Sequence, residues 1–319
     1  MSQRAVQLQI ACTSYSGSTL LGLLLADHPQ VVFCSQLSDL STATARGEHC
    51  TCGAPFAECK FWRSIAGQLP NRANVSVSFD VETTLRDAVP HPAAAVRAGE
   101  RAGARLARQL ISLRPTQSML AVAARVSPHA AHMSDVAAAV ATVAAAVGVA
   151  TGAALVVDAT KYAEVVAARV AADPALRLVH LVRDARGVMA SRMRRRGDSP
   201  ALAAKTWVVH NLRLLAIAAT LPRDRVLRLR YEDVCADPRA QVRRVLQFAG
   251  VAVSDQRPAD ATLQLHKRSQ HLVGGNPMRF SFDDDTIALD ERWRDELNSD
   301  ALMRYRVLAA WLNRRFGYR

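Results

Sequence analysis

The chain has 319 residues, half of them hydrophobic and 5% aromatic, enough to bury a substantial core as one large domain or as a core with a smaller elaboration. Its 41 Lys and Arg against 28 Asp and Glu leave a formal charge of +13, which favours anionic ligands such as nucleotides and sulfated or phosphorylated sugars. No zinc-finger or RNA-recognition signature accompanies the charge, so no nucleic-acid partner is expected.

The opening Met1-Ser2-Gln3-Arg4 carries no long apolar stretch and no small-residue cleavage site, and reads as unprocessed and cytoplasmic. Val6-Gln7-Leu8-Gln9-Ile10-Ala11-Cys12 predicts a strand, the small hydroxylated residues from Ser14 to Thr19 a turn, and Leu20 to Ala26 a helix. In such a turn backbone N–H groups converge and the helix N-terminus adds roughly half a positive charge. Ser and Thr hydroxyls supply further donors, so the turn suits an anion. Turns of this composition also cap ordinary helices. The turn is not a Walker A loop, because Ser18 follows Gly17 where that motif needs Lys.

Cys50, Cys52 and Cys59 cluster, while Cys12, Cys34 and Cys235 are isolated. A C-x-C with one further Cys is short of a four-ligand zinc site unless His49 joins, so a local disulfide or a packed loop is expected and no metal. Residues 71–135, with apolar positions at helical spacing and breaks at Pro90, Pro92, Pro115 and Pro128, predict a helical insert beside the acceptor site of a single 1–319 domain. Val136 to Val157 carries no charge and is long enough to span a bilayer. Its Ala and Gly content, with a break from Gly148 to Gly152, divides it instead into helix, turn and buried strand, and no transmembrane segment is expected.

Later segments repeat the pattern of apolar strand, polar turn and helix. Ala154 to Val157 runs into Asp158-Ala159-Thr160-Lys161, Leu176 to Val182 into Arg183-Asp184, and Arg225 to Arg230 into Tyr231-Glu232-Asp233. Alternation of this kind predicts βαβ units: an α/β fold with a mainly parallel sheet flanked by helices. Ligands collect beyond the C-terminal ends of such strands, which singles out Asp158, Lys161, Arg183, Asp184, Tyr231 and Glu232, although each alone suits a helix cap or surface pair. His266 to Asp285 reads as a loop, and the C-terminus through Trp293 and Trp311 as one or two amphipathic helices.

Taken in order, Tyr15-Ser16-Gly17-Ser18-Thr19-Leu20-Leu21 with His28-Pro29, Asp158-Ala159-Thr160-Lys161, Leu181 to Ser191 and Tyr231-Glu232-Asp233 resemble the sulfotransferases that use 3′-phosphoadenosine 5′-phosphosulfate (PAPS). The Gly275 to Arg279 segment and the Cys-x-Cys-Gly loop ending in Phe61-Trp62 resemble bacterial members. The resemblance covers most of the chain and implies a P-loop-like nucleotide-binding core. It assigns Ser16, Gly17, Ser18 and Thr19, flanked by Tyr15, to the donor's 5′-phosphosulfate. Arg183 and Ser191 fall to its 3′-phosphate, Tyr231 to the adenine and Arg279 to the vicinity of the 3′-phosphate. Two positions depart from the pattern: Tyr15 stands where relatives carry Arg or Lys, and Gln36 where many carry a Glu general base.

The implied reaction moves a sulfuryl group from PAPS to a hydroxyl or amine of a small-molecule or glycan acceptor, without a metal. Its transition state is loose, so alignment and charge stabilisation carry most of the catalysis. Lys161, assisted by Thr19, is the expected stabiliser, with Gln36 at the acceptor. Asp39, His49, His91, His129 and His132 are the candidate bases. An ATP-dependent P-loop-like kinase and a nucleotide-binding protein without turnover are the alternatives.

Overall fold

The computed structural model describes residues 5–69, 81–90, 128–252, 265, 270–280 and 287–319, with the backbone alone at 128 and 129. Among these residues five strands form one parallel sheet in the order β2-β3-β1-β4-β5. They are β1 Val6–Ala11, β2 Val31–Ser35, β3 Leu155–Asp158, β4 Arg177–Val182 and β5 Val226–Arg230. The expected α/β fold, a mainly parallel sheet flanked by helices, is thus what the chain adopts. β2 is an addition to the expected strands: four apolar residues, Val31 to Cys34, follow the His28-Pro29 turn and pair with β3 at the sheet edge.

β1 explains its own alternation. Leu8 and Ile10 point into a core shared with helix α1 (Ser18–Leu25) and, from later in the chain, with Val242, Val245 and Leu246. Helix α1 lies so close to β2 that a Cβ on Gly22 would sit 2.3 Å from the Phe33 ring. Gln7 and Gln9 point to the other face yet are buried. There the Arg169 guanidinium donates to Gln7 Oε1 (2.7 Å), Gln9 Oε1 (2.6 Å) and Asp158 Oδ2 (2.8 Å). Buried polar groups need such partners, and here the network locks β1, β3 and the helix carrying Arg169 together.

Helices α2 (Leu40–Ala45), α3 (Lys60–Ala66) and α4 (Val81–Asp87) follow β2. Helix α5 (Pro128–Thr151) continues through Gly148, so the turn before β3 sits at Gly152, with φ +65°. Its stretch from Ala130 to Thr151 is long and apolar enough to cross a membrane, but Val136, Val140, Val143 and Val147 pack with Val156, Val165 and Ala168 in a second core. Most of the 71–135 insert, with His91 and the His129 side chain, lies outside the described residues. So do residues 266–269 and 281–285 of the loop expected from His266 to Asp285.

Helix α6 (Ala163–Ala172) crosses from β3 to β4, helices α7 (Ala185–Arg196) and α8 (Pro200–Ala219) cross from β4 to β5, and α9 (Tyr231–Ala236) and α10 (Pro238–Ala249) follow β5. The C-terminal part is helical as expected, from Trp293–Glu296 through Ser299–Arg304 to Ala310–Arg315. β3 stands between β1 and β2, and the chain then crosses β1 to reach β4. The strand order reverses there, where ligand crevices form beyond the C-terminal strand ends.

Candidate active site

The turn after β1 is held in an unusual backbone shape. Tyr15 and Gly17 both lie in the left-handed region, at φ +68° and +87°, and Gly17 caps α1. Thr13 Oγ1 and Ser16 Oγ share a hydrogen bond of 2.6 Å, and Ser16, Ser18 and Thr19 are buried. The Tyr15 carbonyl accepts from Arg183 Nη1 at 3.0 Å, tying the turn to the end of β4. A Cβ on Gly17 would lie 2.3 Å from Tyr231 Cδ2, so only glycine lets the ring at the end of β5 pack against the turn.

Two cavities meet at Tyr15 and Gly17. The smaller, about 210 Å³, is lined by Arg183, Ser191, Tyr231, Arg195, Asp290 and Arg292 among others. Arg183 lies over the Tyr231 ring, 4.6 Å from its centroid, and reaches Asp290 at 3.2 Å. Asp290 is held below the usual carboxylate range, first by its bond to Arg292 and then by Arg183. Tyr231 is pushed up, mainly by burial. The larger cavity, about 540 Å³, is lined by Ser18, Thr19, Gln36, Asp39, Lys161 and Asn276 among others. Asp39 is the only carboxylate lining it among the described residues; burial pushes up the phenol of Tyr162, and the Asp39 charge adds to that.

Of the expected donor-loop residues, Tyr15 and Gly17 line both cavities, Ser18 and Thr19 only the larger, and Ser16 neither; Arg183, Ser191 and Tyr231 line the smaller cavity, and Lys161 and Gln36 the larger. Arg279 stands apart. It is buried over Phe280, reaches Glu48 at 3.8 Å, and does not line the cavity that holds Arg183; Arg292 does. Asp158, Asp184 and Glu232 are scaffold. Asp158 Oδ1 accepts from the Leu37 N–H at 3.0 Å and from Thr160, which fixes the turn bearing Gln36. Asp184 caps α7 by accepting from the Arg186 N–H, and Glu232 accepts from the Asp184 N–H and the Tyr318 hydroxyl. Of the candidate bases, Asp39 lines the larger cavity; His49 is exposed beside the cysteines and His132 is half-buried on α5.

Arg195, Arg196, Arg292 and Asp290 also line the cavities and were not singled out in the sequence, whereas Asn276 belongs to the Gly275 to Arg279 segment that was. The first two end the Arg194-Arg195-Arg196 run of α7, which in sequence looks like a solvated helix end. The Asn276 N–H points to Thr19 Oγ1 at 3.4 Å.

The parallel sheet thus carries an anion-suited turn and two cavities with cationic side chains in their walls at its C-terminal edge. The family model described as "Sulfotransferase family" matches residues 70–255, more than half of the chain, and the chain belongs to that family. No curated protein matches it. Among solved structures it is similar to the sulfotransferase domain of the Synechococcus PCC 7002 olefin synthase (TM-score 0.51, 19% identity, 100% of this chain and 99% of that one). It is also similar to the sulfotransferase domain of the curacin biosynthetic pathway (TM-score 0.48, 14% identity, 100% and 99%). STF1 of Mycobacterium tuberculosis H37Rv matches with a TM-score of 0.46 and 14% identity over 97% of this chain and 78% of that one.

Proposed function

We propose that the chain transfers a sulfuryl group from PAPS to a hydroxyl or amine of a small-molecule or glycan acceptor. The observation that supports it most is the pair of cavities meeting at Tyr15 and Gly17, one rich in Arg and the other holding Lys161, Thr19 and one carboxylate. Arg183 and Ser191 would hold the 3′-phosphate, since the guanidinium offers a fork of donors matched to a phosphate, and Tyr231 would lie by the adenine. Loop N–H groups would hold the 5′ end.

In the transfer the bond from sulfur to the 5′-phosphate oxygen breaks and leaves its electron pair on that oxygen. A bond forms from the acceptor oxygen or nitrogen to sulfur. Lys161 and Thr19 stabilise charge on the sulfuryl and leaving oxygens, and the acceptor's proton passes to Asp39 or to water. An amide such as Gln36 takes no proton at neutral pH and orients the acceptor instead.

Acceptor choice falls to residues 71–135. One described part of that segment, α4 with the residues just after it, packs on α2: Ser41 Oγ donates to the Leu85 carbonyl at 2.9 Å and accepts from the Val89 N–H at 2.8 Å. Helix α2 directly follows Asp39.

Calorimetry with 3′-phosphoadenosine 5′-phosphate (PAP) and with ATP and Mg²⁺ tests the donor, and turnover of labelled PAPS tests the reaction. Binding of PAP together with label transferred to an acceptor in a cell extract is the expected result. Binding of ATP–Mg²⁺ without PAP overturns the donor, and PAP binding without any turnover of PAPS leaves a binding protein.

A further inference from the structure

Four side chains converge away from the residues that line either cavity: Cys50, Cys52, Cys59 and His271, whose ligand atoms all lie within 4.8 Å of one another. The first three come from one loop, which turns at Gly53 (φ +95°). The fourth arrives from 212 residues beyond Cys59. His49, the residue that sequence offered as a fourth ligand, instead bridges Pro55 and is exposed.

The distances discriminate among the ways cysteines meet. Cys52 Sγ to Cys59 Sγ is 3.6 Å and Cys59 Sγ to Cys50 Sγ is 3.8 Å, while His271 Nδ1 is 3.4 Å from Cys50 Sγ and 3.3 Å from Cys59 Sγ. A disulfide would hold its two sulfurs about 2.05 Å apart. A tetrahedral zinc with Zn–S near 2.3 Å and Zn–N near 2.05 Å sets ligand separations of about 3.8 Å for sulfur pairs and about 3.5 Å for sulfur–nitrogen pairs. The four separations fall within a few tenths of an ångström of those edges.

The surroundings fit as well. The His271 ring stacks on Phe61, centroids 4.6 Å apart and planes 6° from parallel, which fixes the direction of Nδ1. Backbone N–H groups of Cys52 and Trp62 point to the sulfurs of Cys50 and Cys59, and such outer bonds orient and stabilise metal thiolates. Cys50 and Cys59 are buried, whereas Cys52 is exposed and gives the ion a path in.

We propose that Cys50, Cys52, Cys59 and His271 bind one zinc ion in a closed tetrahedral site with a structural role. Four protein ligands leave no position for substrate, and such sites supply folding energy rather than chemistry. The role follows from what His271 carries. Val273 pairs with β2, its N–H donating to the Cys34 carbonyl at 3.0 Å and its carbonyl accepting from the Gln36 N–H at 2.9 Å. A Cβ on Gly275 would sit 2.7 Å from Ser35 Oγ and 3.4 Å from Thr19 Oγ1. The ion therefore clamps residues 270–280, one wall of the larger cavity, onto the loop that precedes α3. The clamp stands whether or not the chain transfers sulfuryl groups.

The test is elemental analysis of the full chain, produced in zinc-supplemented medium, purified with a thiol reductant and desalted. One zinc per chain is expected. Cobalt exchanged for it should give the visible absorption of tetrahedral cobalt bound by thiolates. Cys59→Ser and His271→Ala should lose the metal, and His271→Cys, which restores a fourth ligand, should keep it. Far-UV circular dichroism separates lost metal from lost fold, and the wild-type stoichiometry decides even if a variant does not fold. Substoichiometric zinc in the wild type overturns the proposal. So does zinc that persists in folded His271→Ala, or an intact mass showing a disulfide among the three cysteines in freshly isolated protein.

Discussion

Replacing Gly17 with alanine strikes the donor turn at one atom. The residue sits at φ +87°, where a side chain costs about 1 kcal/mol or somewhat more. The new Cβ would also stand 2.3 Å from Tyr231 Cδ2 and 2.9 Å from Cε2, over 1 Å inside the ordinary carbon–carbon contact of about 3.5 Å. Tyr231 is not free to retreat, since it is buried against Arg183 and its hydroxyl reaches the Ala288 carbonyl at 3.5 Å. Overpacking of this kind costs about 1–3 kcal/mol, so the sum is about 2–4 kcal/mol against a typical domain stability of about 5–15 kcal/mol. The fold should survive while the turn and ring move apart. Gly17→Ala is expected to lower the melting temperature by several degrees and to weaken PAP binding at least tenfold in calorimetry. Tyr231→Ala removes the overlap, so the double variant should recover the 1–3 kcal/mol packing part while keeping the backbone part. Wild-type PAP affinity in Gly17→Ala, or a double variant whose losses simply add, would refute the packing argument.

Lys161→Ala should lower the turnover of PAPS by about a hundredfold or more with little change in PAP affinity, the range typical of a single lost charge-stabilising donor; intact turnover would remove Lys161 from the mechanism. Arg169→Leu strips the cation from buried Asp158, Gln7 and Gln9, and urea unfolding should show a loss of about 3–5 kcal/mol. Part of it should return on adding Asp158→Asn. His180, fully buried with Nε2 facing Asn211 Oδ1, has its pKa pushed down to about 3 by burial, and His210 to about 4 for the same reason. Unfolded, each titrates near 6.5, so the unfolded chain binds the extra protons. Stability is then whole above about pH 6.5 and falls below it, by about 2 kcal/mol per histidine at pH 5. Denaturation series from pH 7 to 5 should show that slope, shallower in His180→Gln.

Sequence and structure agree where local pattern and topology point the same way. β1, β3, β4 and β5 are apolar or alternating segments that end in polar turns, and parallel pairing needs little else to be recognised. β2 escaped notice because its four apolar residues sit close behind an already apolar helix and supply neither length nor alternation. Gly148 resembled a break, yet helix packing carried α5 through it to Thr151. His271 could not be joined to the cysteines from sequence, because only the pairing of Val273 with Ser35 sets where it lands. Arg279, which the motif draws toward the 3′-phosphate, is buried with Glu48 3.8 Å away and its Nη1 3.8 Å from where a Cβ on Gly275 would stand.

On the proposed reading, both departures from the family pattern are met by neighbours in space. Tyr15 cannot supply a cation, but its hydroxyl accepts from Arg196 Nε at 3.3 Å, and Arg195 and Arg196 line the same cavity as Lys161. The positive charge that relatives place on the turn is here brought by the C-terminal end of α7, a residue removed in sequence by the whole β1-to-α7 span. Gln36 cannot take a proton, but Asp39 lies one short turn further on, facing the same space. Asp39 is set there by the turn that Asp158 anchors through the Leu37 N–H, and Asp158 is set in turn by Arg169. The buried network beneath the sheet and the carboxylate in the cavity are thus one mechanical unit. Damage to Arg169 should accordingly reach the acceptor side of the site before it reaches the donor turn, which hangs from Arg183 and Tyr231 on the opposite half of the sheet.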